Sequence, residues 1–355
     1  MRASLRRAPL AASTLFVASA LAVAACSSGS SSPSSSSSSS GSGGSTSAKS
    51  GLKVFVIPKN LGNPYFTTAD SKGTGGALAA LAALGDTGTE TSGTAATSAS
   101  QIPAIQAAVT KGANALVVSA TDPTALCPTL NAAIKRKIPV VTYDSDAPGC
   151  RSLFINQAST AAIGTSEVDL LAKEIGSSGQ IAIVSAAASA PNQNAWIGYM
   201  KTELKKYPNM KLVTTVYGND DPATATQVTQ GLLQQYPNLK GIISPTTVGI
   251  LAAAGVLDTA KYRGKVALTG LGTPNSMKKY VSDGTVKAFE LWNPANLGYL
   301  AGYAAADLAG GTLKVAPGAT FTAGKLGKFT IGADNTVLLG PPTVFDSANI
   351  GNFNF

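Results

Sequence analysis

From residue 52 onward, short apolar runs alternate with segments long enough to form a helix. Residues 52–57 are apolar and β-branched; a Gly/Pro-bearing turn follows, then a long Ala/Leu segment that reads as helical up to Leu84. Residues 115–119 form another run, and 124–136 has the pattern of a helix. The run 138–143 ends at Asp144 and Asp146, and the series continues at 180–185, 212–217, 241–244, 266–270 and 286–291. Near-continuous apolar strands separated by helices predict parallel sheets covered on both faces. About ten such strands exceed one comfortable core, so the expectation is α/β, with two doubly wound parallel-sheet lobes.

In open parallel sheets, ligands sit beyond the carboxyl ends of the strands, so the chemistry found there matters most. The first strand is followed by Lys59, Asn63, Tyr65 and Phe66, and the run 138–143 by Asp144 and Asp146. The run 180–185 leads to Asn192 and Gln193, and later ends supply Pro245, Thr246 and Thr247, Thr273 and Asn275, then Trp292 and Asn293. One lysine, two aspartates, amides, hydroxyls and aromatic faces suit a sugar, whose hydroxyls need donors and acceptors and whose C–H faces need flat apolar walls. Each residue also has a plainer reading: Lys59 as a solvated turn lysine, the aspartates as loop caps, Asn63 as a turn former and Trp292 as core. Asp144 and Asp146 lie two apart, so on an extended strand end they are expected to point the same way.

Composition removes several function classes. The chain has no histidine, which excludes Ser-His-Asp and Cys-His catalysis and histidine metal ligands. The formal charge of +9 falls to +6 once Arg2, Arg6 and Arg7 are discounted, and no basic run occurs, so no nucleic-acid partner is expected. Neither a nucleophile elbow nor a phosphate-binding loop is present, and Gly73, Gly75 and Gly76 fall in a segment that reads as helical. No cofactor and no metal are expected.

The first residues read as an address. Arg2, Arg6 and Arg7 precede the apolar stretch 15–25, which is short for a membrane span and ends in small residues, giving a signal peptide over 1–25. The ending Val23-Ala-Ala-Cys26 resembles the bacterial lipobox, in which the cysteine is lipidated; the alternative is an ordinary signal with an incidental cysteine. With Cys26, the Ser/Gly-rich stretch to residue 50 reads as a disordered tether spanning about 25–30 Å r.m.s.. Cys127 and Cys150 remain, read either as one disulfide contributing about 3 kcal/mol or as two buried thiols.

Several fragments carry a family resemblance: Ile57-Pro-Lys59, Val118-Ser-Ala120, Leu126-Cys-Pro128, Asp144-Ser-Asp146, Asn156-Gln157, Thr273-Pro-Asn275, Gly284-Thr-Val-Lys287 and Leu291-Trp292. In this order they resemble the periplasmic sugar-binding proteins of ABC importers with the ribose-type fold, in the branch that binds rhamnose or autoinducer-2. The resemblance implies two lobes joined by a hinge. The first would hold about 51–156 plus 292–318, the second about 157–291 plus 319–355 with a hinge crossover. It implies a non-enzymatic monomer that closes on a small sugar and presents the closed form to a membrane permease, and the lipobox-like ending at Cys26 places it as a lipoprotein on the outer face of the cell membrane.

Carried over residue by residue, the autoinducer-2 pattern matches at Lys59, Asp144, Gln193 and Pro245. Asn192 stands where that pattern has a second aspartate, and Thr247 where it has alanine. The string Ala190-Pro-Asn-Gln-Asn-Ala-Trp196 resembles the rhamnose binders more closely, so rhamnose or a related small sugar or polyol is expected, with autoinducer-2 as the alternative and a secreted sugar-processing enzyme as a remote one. The wider ribose-type pattern adds Asn63, Tyr65 and Phe66, and Trp292 or Asn293, as ligand contacts.

Overall fold

The computed structural model describes residues 49–355 apart from Ala260. The signal peptide, Cys26 and nearly all of the tether lie outside the described residues.

The chain begins β1 (Lys53–Ile57), α1 (Pro64–Asp70), α2 (Ala77–Ala83), β2 (Thr87–Glu90), α3 (Ser98–Thr110), β3 (Ala115–Val118), α4 (Pro123–Lys135), β4 (Val140–Tyr143) and β5 (Leu153–Asn156). Next come α5 (Thr160–Ile175), β6 (Gly179–Ser185), α6 (Pro191–Glu203), β7 (Met210–Tyr217), α7 (Pro222–Gln235), β8 (Leu239–Ser244), α8 (Thr247–Leu257), β9 (Ala267–Gly270), α9 (Pro274–Ser282) and β10 (Ala288–Leu291). The chain closes with α10 (Pro294–Gly310), β11 (Thr320–Thr322), β12 (Lys328–Thr330), β13 (Thr336–Leu338) and β14 (Thr343–Asp346).

Two parallel sheets organise these elements, as the apolar runs require. The first has the order β13-β5-β4-β3-β1-β2 and the second β7-β6-β8-β9. In β1, Val54 and Val56 join the core under α10, while Phe55 and Ile57 join a second cluster with Leu116, Leu126 and Leu130. Opposite faces of one strand are thus buried in different layers, and each fully buried valine or isoleucine contributes about 1.5–3 kcal/mol. Gly298 of α10 lies so close to Ala69 that an added Cβ would overlap its carbonyl oxygen, so only glycine lets α10 seat against α1.

The chain leaves the first sheet after β5 and again after β13, which leads to β14 in a separate two-stranded sheet with β10, and the backbone bond from Leu339 N to Asn156 O (2.9 Å) ties these two exits. Within residues 319–355, given by the resemblance to the second lobe with a hinge crossover, β13 pairs with β5 and supplies the backbone partners that this edge lacks, whereas β14 pairs with β10. The glycine-rich stretch 73–76, expected to be helical, is the turn between α1 and α2, with Gly75 at φ 83°. Cys127 in α4 and Cys150 beyond β4 are joined as a disulfide with Cα atoms 5.3 Å apart. No helix among the described residues is long and apolar enough to cross a membrane.

Candidate ligand cleft between the lobes

Both sheets reverse strand order beside a central strand: the first between β1 and β3, the second between β6 and β8. Such switch points open a crevice at the carboxyl ends. Proline opens α1, α4, α6, α7, α9 and α10, starting each helix close to a strand end. The loops between are therefore short, and their side chains converge.

They line a cavity formed by Lys59, Asn63, Tyr65, Phe66, Asp144, Asn192, Gln193, Trp196, Asp220, Pro245, Thr246, Thr247, Leu271, Leu291 and Trp292. Its polar centre is Lys59, whose Nζ lies 3.4 Å from Asp144 Oδ2 and donates to Asn192 Oδ1 at 3.2 Å. Asp144 Oδ2 also accepts from the Ser119 hydroxyl at 2.7 Å. Because Lys59 and Asp144 belong to the first lobe and Asn192 to the second, this cluster spans the cleft, as does the bond from the Ser189 hydroxyl to the Thr121 carbonyl at 3.3 Å.

The remaining polar side chains divide into those with free capacity and those already committed. Gln193 Nε2 donates to the Pro245 carbonyl at 2.6 Å, and its Oε1 accepts from Ser185 at 3.0 Å, so it ties the end of β6 to the end of β8. Asn63 caps α1 by accepting from the Tyr65 amide at 3.0 Å. Gln101, buried in α3, donates to the carbonyls of Pro58 and Ser119 and accepts from Thr121, which fixes the loop carrying Lys59. The apolar wall is continuous: the Tyr65 hydroxyl accepts from Trp292 Nε1 at 2.8 Å, and Trp292 meets Trp196 at 6.2 Å between ring centroids. Burial, reinforced by the charge of Asp144, holds the Tyr65 phenol well above its usual range.

Ten of the twelve expected ligand residues line this cavity, and two do not. Asp146 faces away, accepting from Thr142 (2.6 Å) and from Arg151 Nε and Nη2 (2.9 and 3.0 Å), while Arg151 also donates to the carbonyls of Asp334 and Asn335. The expected parallel orientation fails because Asp144 has φ 60°; this left-handed residue breaks the two-residue alternation. Asn293 instead caps α10, accepting from Asn296 N at 3.3 Å.

Asp220 and Trp196 line the cavity but were not among the expected residues. Asp220 stands just beyond β7, and the sequence signal for it is its place after the apolar run 212–217.

Two open parallel sheets presenting their carboxyl ends to a shared, aromatic-walled cleft define a two-lobed solute-binding protein. The family model for the periplasmic binding protein domain matches residues 54–313, and the chain belongs to that family. A sugar ABC transporter structure from Actinomyces odontolyticus is 46% identical, with 86% of this chain and 98% of that one covered and a TM-score of 0.67. An ABC transporter solute-binding protein from Clostridium phytofermentas with bound L-rhamnose is 36% identical, covering 86% and 98%, with a TM-score of 0.81. LsrB from Clostridium saccharobutylicum in complex with AI-2 is 26% identical, covering 86% and 100%, with a TM-score of 0.80. The chain spans 61% and 44% of the length of two curated relatives that it matches.

Proposed function

We propose that this chain is the solute-binding component of a sugar ABC importer and that it captures L-rhamnose, or a closely similar small neutral sugar, by closing its lobes. The observation that carries this reading is the Lys59–Asp144–Asn192 cluster spanning the cleft against the wall of Phe66, Trp196 and Trp292. Hydroxyl groups can exchange hydrogen bonds with the cluster, while the wall, extended by Leu271 and Leu291, suits a ring's C–H face and the methyl group of a 6-deoxy sugar. The rhamnose-bound relative supports this choice. A ligand that touches both lobes binds the closed state better and shifts the population toward it, and closure is what a permease would read. The function is binding, without catalysis.

AI-2 capture is the second reading, favoured by the LsrB relative and by Lys59, Asp144, Gln193 and Pro245. The amide at 192 weighs against it, since a carboxylate accepts hydroxyl protons more strongly. Calorimetric titration of the purified protein with L-rhamnose, other pentoses and hexoses, polyols and AI-2 separates the two readings; AI-2 binding without sugar binding would favour the second. We further propose anchoring to the outer face of the cell membrane through a lipid on Cys26. Cys26→Ser should release the protein into the medium, and continued membrane retention would refute the anchor.

A further inference from the structure

We propose that Asp220 determines which sugars the cleft accepts: its carboxylate accepts a hydrogen bond from a hydroxyl of a neutral ligand and turns away anionic sugars such as aldonates and sugar phosphates. The proposal rests on the cleft being a sugar site.

Asp220 reaches the cleft through an unusual backbone. Asn219 and Asp220 both have positive φ, 55° and 51°, and two consecutive left-handed residues without glycine cost about 1 kcal/mol or more each. The turn they form brings the carboxylate from the β7 edge to the cavity lining. There the Thr246 hydroxyl, from the end of β8, donates to Oδ1, and no protein donor meets Oδ2 among the described residues. Burial pushes the Asp220 carboxyl above its usual range, and the charge of Lys59 and the Thr246 bond only partly offset this.

The charge balance explains the selectivity. Among the described residues Lys59 is the one cation lining the cavity, and it is already engaged by Asp144 and Asn192. Two carboxylates therefore face one committed ammonium. A partly buried carboxylate oxygen that meets no protein donor is open to a ligand hydroxyl. A ligand carboxylate or phosphate would instead be buried against Asp220 with no cation left to pair with it.

A purely structural role, holding the ends of β7 and β8 together through Thr246, predicts that Asp220→Asn, which can keep that bond, leaves sugar affinity unchanged. The test combines thermal melts of ligand-free wild type and Asp220→Asn with calorimetric titrations of both, using L-rhamnose and its aldonic acid, L-rhamnonate. The expected result is a ligand-free midpoint that is unchanged or higher in the variant, because the amide keeps the Thr246 bond without burying a charge. L-rhamnose affinity should fall by about tenfold or more, and the preference for L-rhamnose over L-rhamnonate should narrow by a similar factor. Affinity within about twofold of wild type, or a lowered midpoint with affinity retained, would overturn the assignment alone. A wild-type protein that binds no neutral sugar would overturn the sugar reading itself, and this assignment with it.

Discussion

Lys59 and Asn192, on opposite lobes, are joined by a hydrogen bond of 3.2 Å from Nζ to Oδ1, inside a cleft where the same ammonium lies 3.4 Å from Asp144. One lysine thus holds a carboxylate of its own lobe and an amide of the other. Lys59→Met keeps much of the stem but leaves Asp144 buried with only neutral donors, a loss worth about 3–5 kcal/mol. Sugar affinity should fall by more than about 100-fold, and calorimetry that finds an unchanged dissociation constant contradicts this role.

Asn192→Asp tests the amide directly. Nδ2 of Asn192 lies 3.5 Å from Asp144 Oδ1, so an aspartate would set two carboxylates against each other, with Asp220 lining the same cavity. At neutral pH the variant should bind L-rhamnose about tenfold more weakly, and part of the loss should return as pH falls and the carboxylates protonate. Affinity that is equal to wild type and insensitive to pH would remove the amide as a determinant.

The two aspartates after β4 should behave differently despite their spacing. Asp144→Ala removes the partner of Lys59 and should abolish measurable binding. Asp146→Ala breaks a two-point bond to Arg151 outside the cleft and should cost about 1–3 kcal/mol of stability while leaving affinity within about twofold. Paired melts and titrations of the two variants check the contrast.

A pH dependence of stability is built into the second lobe. The Ser166 hydroxyl donates to Glu290 Oε1 at 2.6 Å, whereas Glu290 Oε2 and both oxygens of Glu167 meet no donor. Burial raises Glu290 from 4.5 to about 7 and lifts Glu167 well above the carboxylate range, with the charge of Glu290 adding to the latter shift. The folded state therefore keeps a proton that the unfolded chain releases. The associated stability is fully present below about pH 4.5 and is lost as pH rises through about 7, on the order of 3 kcal/mol for Glu290. Glu290→Gln should flatten this profile and raise the midpoint at about pH 8 by roughly 5 °C. Parallel melting profiles for variant and wild type would contradict it.

Much of the fold was legible because the strands of both sheets are long apolar runs, and burial on two faces leaves that mark. β2 escaped because Thr-Gly-Thr-Glu is polar and adds to the sheet edge through backbone pairing with β1. β13 escaped because three residues carry no periodicity; its pairing with β5 is set in three dimensions. The site was legible wherever a residue directly follows an apolar strand, as with Lys59, Asp144 and Pro245. Asp146 was misplaced because the left-handed residue at 144 redirects the chain, which residue spacing does not announce, whereas Asp220 was marked in the sequence by its place just beyond the run 212–217.

The most direct test of the account is calorimetric titration of L-rhamnose into the purified protein at neutral pH. The expected result is saturable one-to-one binding with a dissociation constant of about 1 µM or tighter, lost in Lys59→Met. Absence of both heat and any thermal shift with L-rhamnose and every other neutral sugar tried would contradict it.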